Sequence, residues 1–439
     1  MNRNLLILLL ILIFSQIGFA QNFDKTKLDR YFNELEANNK FMGSVAISKN
    51  GQIIYSKSIG YSDFENNVKA NINSKYRIGS ISKTFTTVLV LKAVEEKKLA
   101  LDQTIQTYFP QIKNADRITI KQLLNHRSGI HNFTNDADYL TWHTESKSEA
   151  EMIDIIVKVG SDFEPDSKAE YSNSNFVLLS FILEKIYKKS YSEILQEKII
   201  KPIGLTNTYF GGKIQSEKNE CKSYSYSENW KEEAETDISI PLGAGGIVST
   251  PSDLTKFSDA LFGGKLLSSP SLEIMKTIKD NYGIGLFQIP FYDKIGYGHT
   301  GGIDGFSSVF SYFTDSNISY ALISNGANYN TNKISIAVLS AIFEKEYEIP
   351  SFKTIELNSE DLDKYLGVYS SKEIPLKITI SKEGKILKAQ ATGQPSFPLE
   401  ASEKDIFTYE QAGVVIEFKP TEKIMILKQG GGKFTFTKE

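Results

Sequence analysis

Cys221 is the only cysteine in 439 residues. It cannot close an internal disulfide, and without a second thiol it offers no cysteine pair to a metal. It reads as a small, half-buried residue. Basic runs are absent too. Fifty lysines and arginines stand against 53 acidic residues, spread along the chain, for a formal charge of −3. That balance argues against nucleic acid as a partner. Histidine is scarce, at four: His126, His131, His143 and His299. His126 and His131 stand near Asp136 and Asp138, a faint metal pattern better read as ordinary loop and capping residues. There is no G-x-S-x-G elbow, no H-E-x-x-H pair and no Walker phosphate loop. Beyond the N-terminus no apolar run reaches the roughly 20 residues that a bilayer crossing needs. Internal repeats and low-complexity tracts are also missing.

What is present is ordinary for a globular chain: 41% hydrophobic and 23% charged residues, with aromatics at 12%. The length allows two or three domains, each with a real core. Arg3, the apolar run Leu5 to Phe14, and Gly18-Phe19-Ala20 form a signal-peptide pattern over residues 1–20. The expectation is a mature protein from Gln21, periplasmic or secreted, with no membrane span. An uncleaved signal anchor is the alternative.

Phe23 to Asn38 reads as an amphipathic helix with Leu28, Tyr31, Phe32 and Leu35 on one face. Gly43 to Ser48 and Gln52 to Ser58 read as strands around Asn50-Gly51, a hairpin signal because both turn positions favour positive φ. Thr84 to Glu96 is an apolar, buried helix. Helical patterns dominate about 101–240, including Glu149 to Val159 and Asn175 to Tyr187. Strands return at Phe306 to Phe313 and Ile318 to Asn325, then a helix at Asn332 to Glu346. This order implies one sheet built from both ends of residues 21–349, with a helical insertion between. Residues 350–360 read as a linker. Residues 361–439 carry short alternating runs, among them Lys377 to Ile380, Val414 to Phe418, Lys423 to Leu427 and Phe434 to Thr437. These suit a small antiparallel β-barrel or sandwich.

Three elements carry chemistry. Ser80 and Lys83 form the only S-x-x-K in the chain and open the apolar helix. Positions i and i+3 share a helix face, so the amine lies beside the hydroxyl. A serine hydroxyl needs a neighbouring base, and a lysine enclosed in apolar surroundings loses affinity for its proton. Tyr171-Ser172-Asn173 is the second element: a tyrosine can relay a proton, and an asparagine can hold the lysine and a substrate amide. The third is His299-Thr300-Gly301-Gly302, ahead of the strand near Phe306, where glycines let backbone N–H groups approach a substrate.

This trio resembles the serine penicillin-recognising enzymes, in particular the class C β-lactamase and D-alanyl-D-alanine carboxypeptidase branch. The resemblance spans roughly Asp24 to Tyr347. Leu123-Leu124-Asn125-His126-Arg127-Ser128-Gly129 is similar to the family's L-L-x-H-x-S-G segment, Pro202-Ile203-Gly204-Leu205 to its P-L-G turn, and Ala244-Gly245-Gly246-Ile247-Val248-Ser249-Thr250 to its A-G-G segment. It implies an α+β fold, an antiparallel sheet flanked by helices with an inserted helical domain. It also implies acylation of Ser80, proton transfer by Lys83 and Tyr171, and substrate binding by Asn173. His299 and Thr300 would face the substrate's carboxylate side, and the N–H groups of Ser80 and Gly302 would bind the oxyanion. No cofactor or metal is implied. Tyr365-Leu366-Gly367-Val368-Tyr369 resembles the opening of the lipocalin-like barrel appended to many such chains.

Many β-lactamases carry lysine where this chain has His299, and a neutral histidine offers less charge to a β-lactam carboxylate. The leading expectation is therefore a D,D-carboxypeptidase-like, penicillin-binding serine hydrolase acting on cell-wall peptides, with peptidoglycan as a partner. An esterase or β-lactamase on the same site is the first alternative. A binding module without turnover is the second.

Overall fold

A computed structural model describes residues 23–227 and 229–439, so the N-terminal targeting pattern lies outside the described residues. Helix α1 (Lys25–Ala37) starts where Asp24 caps the Lys27 N–H at 2.9 Å, and it buries Leu28, Tyr31, Phe32 and Leu35. Strands β1 (Phe41–Lys49) and β2 (Gln52–Ile59) follow, with Asn50 at φ 53° and Gly51 at φ 76° making the tight turn. Helix α2 (Ser82–Glu95) is buried almost all round, as its unbroken apolar run demands. The helical middle includes α3 (Asn173–Tyr187) and leads to α4 (Pro251–Phe262). Four strands then complete the sheet: β3 (Phe287–Phe291), β4 (Lys294–Ile303), β5 (Phe306–Phe313) and β6 (Ile318–Ala327). Helix α5 (Thr331–Ile342) ends this part.

The sheet runs β3-β4-β5-β6-β1-β2, antiparallel throughout. Its first and last strands in sequence meet at Val45 opposite Leu322 and Ile47 opposite Tyr320. Those four side chains pack with α1 and α5 in one core. Ala321, Ile323, Phe306 and Phe310 point the other way, as strand alternation requires, into the core of α2, α3 and α4. The central strand β6 is thus covered on both faces, and it is buried from Ile318 to Gly326 with no exposed alternate positions, Ser319, Ser324 and Asn325 included. The expected sheet closed by both ends around a helical middle is the observed one.

Residues 367–438 form a closed antiparallel barrel of eight strands: β7 (Gly367–Ser370), β8 (Lys377–Glu383), β9 (Ile386–Ala391), β10 (Phe397–Glu403), β11 (Ile406–Tyr409), β12 (Val414–Lys419), β13 (Ile424–Gln429) and β14 (Gly432–Lys438). Tyr369 opposite Lys438 closes it. The barrel docks through polar contacts. Lys40 pairs with Glu400 at 3.0 Å, Lys333 with Glu410 at 2.8 Å, and Gln411 Nε2 donates to Tyr226 O at 3.1 Å.

One placement differs from expectation. His299-Thr300-Gly301-Gly302 precedes the strand at Phe306 as expected, but it is itself strand and not turn: it lies inside β4, paired with β5 from Gly296 opposite Phe313 to Ile303 opposite Phe306. Glycine is a poor strand former, so this stretch reads as a turn. Among the described residues no helix is long and apolar enough to cross a membrane.

Leu28 is fully buried between α1 and the sheet. Leu28→Ala is expected to cost about 2–5 kcal/mol, read as a lowered urea midpoint for the sheet-containing part.

Candidate active site

Ser80, the expected nucleophile, is seated by a small second sheet. Tyr76–Arg77 pairs with Ile247–Ser249, and Ile78 N–H donates to Ile247 O at 3.0 Å. The chain then makes one 3-10 turn, Gly79–Ile81, and runs into α2. Gly79 has φ +51°, and a Cβ there would lie 2.8 Å from Gly302 N. A Cβ on Gly301 would lie 2.1 Å from Ile78 O and 3.1 Å from Ser80 N. Two glycines therefore let the Ser80 turn and strand β4 touch backbone to backbone.

Lys83 lies one turn beyond Ser80 with no exposed surface. Its Nζ contacts Ser80 Oγ at 3.0 Å, Asn173 Oδ1 at 2.7 Å and Ala244 O at 2.7 Å. The rings of Tyr171 and Phe176 lie 4.9 and 5.6 Å away. No carboxylate pairs with it, and burial alone pushes its pKa well below the usual lysine value. A neutral amine has two N–H donors and one lone pair. Asn173 Oδ1 and Ala244 O can only accept, so they take both donors. The lone pair is left for the Ser80 hydroxyl. The acceptors are themselves fixed. Asn173 Nδ2 donates to Thr134 Oγ1 at 3.0 Å, which orients the amide. The turn carrying Ala244 is clamped between helices: Thr86 of α2 donates to Gly243 O at 2.7 Å, and Gly243 N–H donates to Ser180 of α3 at 3.0 Å.

Tyr171 is held by stacking. His126 lies 4.5 Å from its ring centroid, and His126 Nδ1 accepts the Ser172 N–H at 3.1 Å. Burial holds His126 well below its usual pKa, so it is neutral. Burial pushes the Tyr171 phenol well up, and its contact with Ser80 offsets part of the rise. Lys83 and Tyr171 are thus driven in opposite directions. That pattern separates a base from an acid.

His299 is buried, and its Nδ1 lies 2.5 Å from Thr300 O. A carbonyl only accepts, so Nδ1 carries the proton and Nε2 the lone pair. Burial above all brings the pKa down to about 3. His299 therefore provides no cation at neutral pH. Strand β3 begins at Phe287 opposite Gly298, which leaves one edge of β4 open beyond that pair. Gly302 N lies against the Ser80 turn, 2.8 Å from where a Cβ on Gly79 would sit. The N–H groups of Ser80 and Gly302 are therefore the backbone donors that an oxyanion on this site could use.

Two hollows flank Ser80. One, of about 370 Å³, is lined by Tyr171, Asn281, Tyr282, Phe287, His299 and Thr300. The other, of about 410 Å³, includes Phe133, Tyr139, Asn173, Glu233, Asp304 and Gly302. No lysine or arginine lines either. The structure brings together all eight expected residues: Ser80, Lys83, Tyr171, Asn173, His299, Thr300, Gly301 and Gly302. It adds Thr134, Glu233, Asp304, Tyr282 and Phe287, none of which carries a sequence signature, and the carbonyl of Ala244, whose A-G-G segment suggested no role for that atom. His131 sits instead between Asp162 at 2.8 Å and Asp136 at 3.2 Å, while His126 backs Tyr171.

The family model described as Beta-lactamase matches residues 28–342. Teichoic acid D-alanine hydrolase of Staphylococcus aureus (strain MRSA252) is 31% identical over 298 residues, spanning 66% of this chain and 70% of that protein. The D-amino acid amidase from Ochrobactrum anthropi SV3, solved with L-phenylalanine amide, aligns with TM-score 0.64 and 26% identity over 72% of this chain and 98% of its own. An octameric penicillin-binding protein homologue from Pyrococcus abyssi shares the fold, with TM-score 0.67 and 24% identity over 94% of this chain and 100% of that one.

The opposed pKa directions set the pH profile. A base held well below the usual lysine value shifts the acid-side fall of kcat/KM to much lower pH than a solvated lysine would give. Lys83→Arg is expected to lower acylation by about 10²–10⁴-fold, without recovery near pH 10, because guanidinium keeps its proton. Stopped-flow release of nitrophenol checks this; wild-type rates in the variant would contradict it.

Proposed function

We propose that this chain, which belongs to the beta-lactamase family and is a serine hydrolase, releases D-aminoacyl groups, D-alanyl above all, from alcohol or amine leaving groups. The observation that carries this reading is the lone pair of Lys83, left by two carbonyl acceptors for Ser80 alone. Lys83 takes the Ser80 proton as Oγ bonds to the substrate carbonyl. The N–H groups of Ser80 and Gly302 bind the oxyanion, and one such donor is typically worth about 3 kcal/mol. Tyr171 gives its proton to the departing oxygen or nitrogen and is reprotonated from Lys83. Water enters where the leaving group left. Its proton passes through Tyr171 to Lys83, water bonds to the acyl carbon, and Ser80 Oγ leaves with a proton from Lys83.

The acid, Tyr171, lines the hollow with Tyr282, Phe287 and His299, so the leaving group departs on that side. A D,D-carboxypeptidase expels a free D-amino acid there, with its carboxylate in need of a cation. Neutral His299 is the nearest candidate, and no lysine or arginine lines that hollow. An ester or amide leaving group makes no such demand. The names of the relatives, a D-alanine hydrolase and a D-amino acid amidase, support the same acyl group. D,D-carboxypeptidase, esterase and β-lactamase activity on the same site, with a cell-wall partner such as peptidoglycan, form the second reading, supported by the penicillin-binding-like fold. The N-terminal leader pattern supports action in the periplasm or outside the cell.

The test is intact-mass detection of the acyl-enzyme with steady-state kinetics on four substrates: a D-alanyl ester, a D-alanyl amide, a peptide ending in D-Ala-D-Ala, and a labelled penicillin. The D-alanyl ester and amide should acylate Ser80 and turn over, with kcat/KM at least about tenfold above the peptide, and Ser80→Ala should abolish both. A peptide hydrolysed as fast as the ester would overturn the preference. Full activity in Ser80→Ala would overturn the mechanism.

A further inference from the structure

We propose that Glu233 selects substrates whose acyl group carries a free α-ammonium, and so separates aminoacyl from peptidyl substrates. This rests on the reading above and adds the recognition element for that acyl group. Since the leaving group departs on the Tyr171 side, the acyl group occupies the other hollow, of about 410 Å³. Besides Ser80 and Asn173, that hollow is walled by Phe133, Tyr139 and Ile240, with Glu233 and Asp304 as its two carboxylates.

The two carboxylates differ in what they already hold. Asp304 is committed: it accepts the Thr236 N–H at 3.1 Å and the Thr236 hydroxyl at 2.6 Å, and pairs with Arg77 at 3.2 Å. Neighbouring Glu235 is committed to Arg77 and to the Ile214 N–H. Lys222, the cation of the adjoining hairpin, is taken by Glu232 at 2.9 Å and Asp63 at 3.5 Å. Glu233 alone has no side-chain hydrogen bond or ion pair among the described residues, although it is half-buried in the wall. Its mount is firm. The Glu233 N–H donates to Ser223 O at 2.9 Å, and the Ser223 hydroxyl accepts the Gly305 N–H at 3.2 Å. Gly305 follows Asp304 on the turn out of β4.

A hollow of this size does not discriminate a small acyl group by fit, so charge is the available criterion. An α-ammonium beside Glu233 gains a charge-assisted hydrogen bond. The α-nitrogen of a peptidyl group is a neutral amide. Bringing it there desolvates the carboxylate without supplying a cation, and an N-carboxylated acyl group adds repulsion.

The test compares D-alanyl methyl ester with N-acetyl-D-alanyl methyl ester, which share a leaving group, in wild type, Glu233→Gln and Glu233→Lys. Thermal denaturation confirms folding of each variant. Wild type should favour the free amine by about 10- to 100-fold in kcat/KM, carried mainly by KM. The preference should fade as the α-amino group loses its proton near pH 8. In Glu233→Gln the ratio should collapse toward one and lose that pH dependence. Glu233→Lys should shift preference to an N-succinyl-D-alanyl ester. If Glu233→Gln keeps the wild-type ratio, or slows both esters equally, the assignment of Glu233 is overturned while D-aminoacyl hydrolysis stands. If wild type hydrolyses neither ester yet labelled penicillin acylates Ser80, the D-aminoacyl reading fails, and this inference with it.

Discussion

The amine of Lys83 works as a base only while it is kept out of water, and much of the catalytic part serves that one condition. Helix α2 is enclosed on nearly all sides, which explains why it has almost no amphipathic pattern. Helix α3 contributes Asn173 and Phe176, and the clamped turn contributes the Ala244 carbonyl. The same enclosure would make an unpaired ammonium costly. With two fixed carbonyls and a hydroxyl as its only partners, the neutral amine is fully satisfied and already aimed at Ser80.

Charge is distributed around that neutral centre with a consistent sense. Cations near the site are consumed in structure: Arg77 ties Glu235 and Asp304 together three residues before the nucleophile. His299 and His126 are neutral, and both lean on Tyr171. The leaving-group side is therefore uncharged and partly aromatic, while the acyl side keeps one uncommitted carboxylate. On the proposed reading, such a site suits neutral leaving groups and a positively charged acyl group. That is the chemistry of an aminoacyl ester or amide more than of a peptide with a terminal carboxylate.

Features with local causes were legible in the sequence. Leu28, Tyr31, Phe32 and Leu35 repeat at helical spacing, Asn50-Gly51 demands positive φ, and Ser80 with Lys83 needs only one helical turn. Features made by the fold were not. Strand β4 hides behind its glycines, which are there because Ile78 and Ser80 pass against it. The Ala244 carbonyl is a backbone atom and has no side-chain signature. Strands β9 and β10 carry weaker signals: Ala389 and Ala391 keep the inward alternation of β9 but are small and poor strand formers, and Pro398 stands near the start of β10. The division of labour between Lys83 and Tyr171 was also hidden. Their residue types suggest shared proton transfer, and only burial separates base from acid.

The buried amine also ties folding to proton release. In the unfolded chain Lys83 is protonated up to about pH 10.4, whereas in the folded protein it is neutral well below that. Between that depressed value and about 10.4, each molecule that folds must surrender this proton to solvent. The unfolded state holds more protons across that window, so stability rises with pH there, by about 1.4 kcal/mol per pH unit for one group. Below about 6.5 the unfolded histidines take up protons too, while folded His299 stays neutral down to about 3 and His126 is likewise suppressed. Acidification therefore draws on three groups at once, and the residues that arm the nucleophile are the ones that make the fold acid-labile.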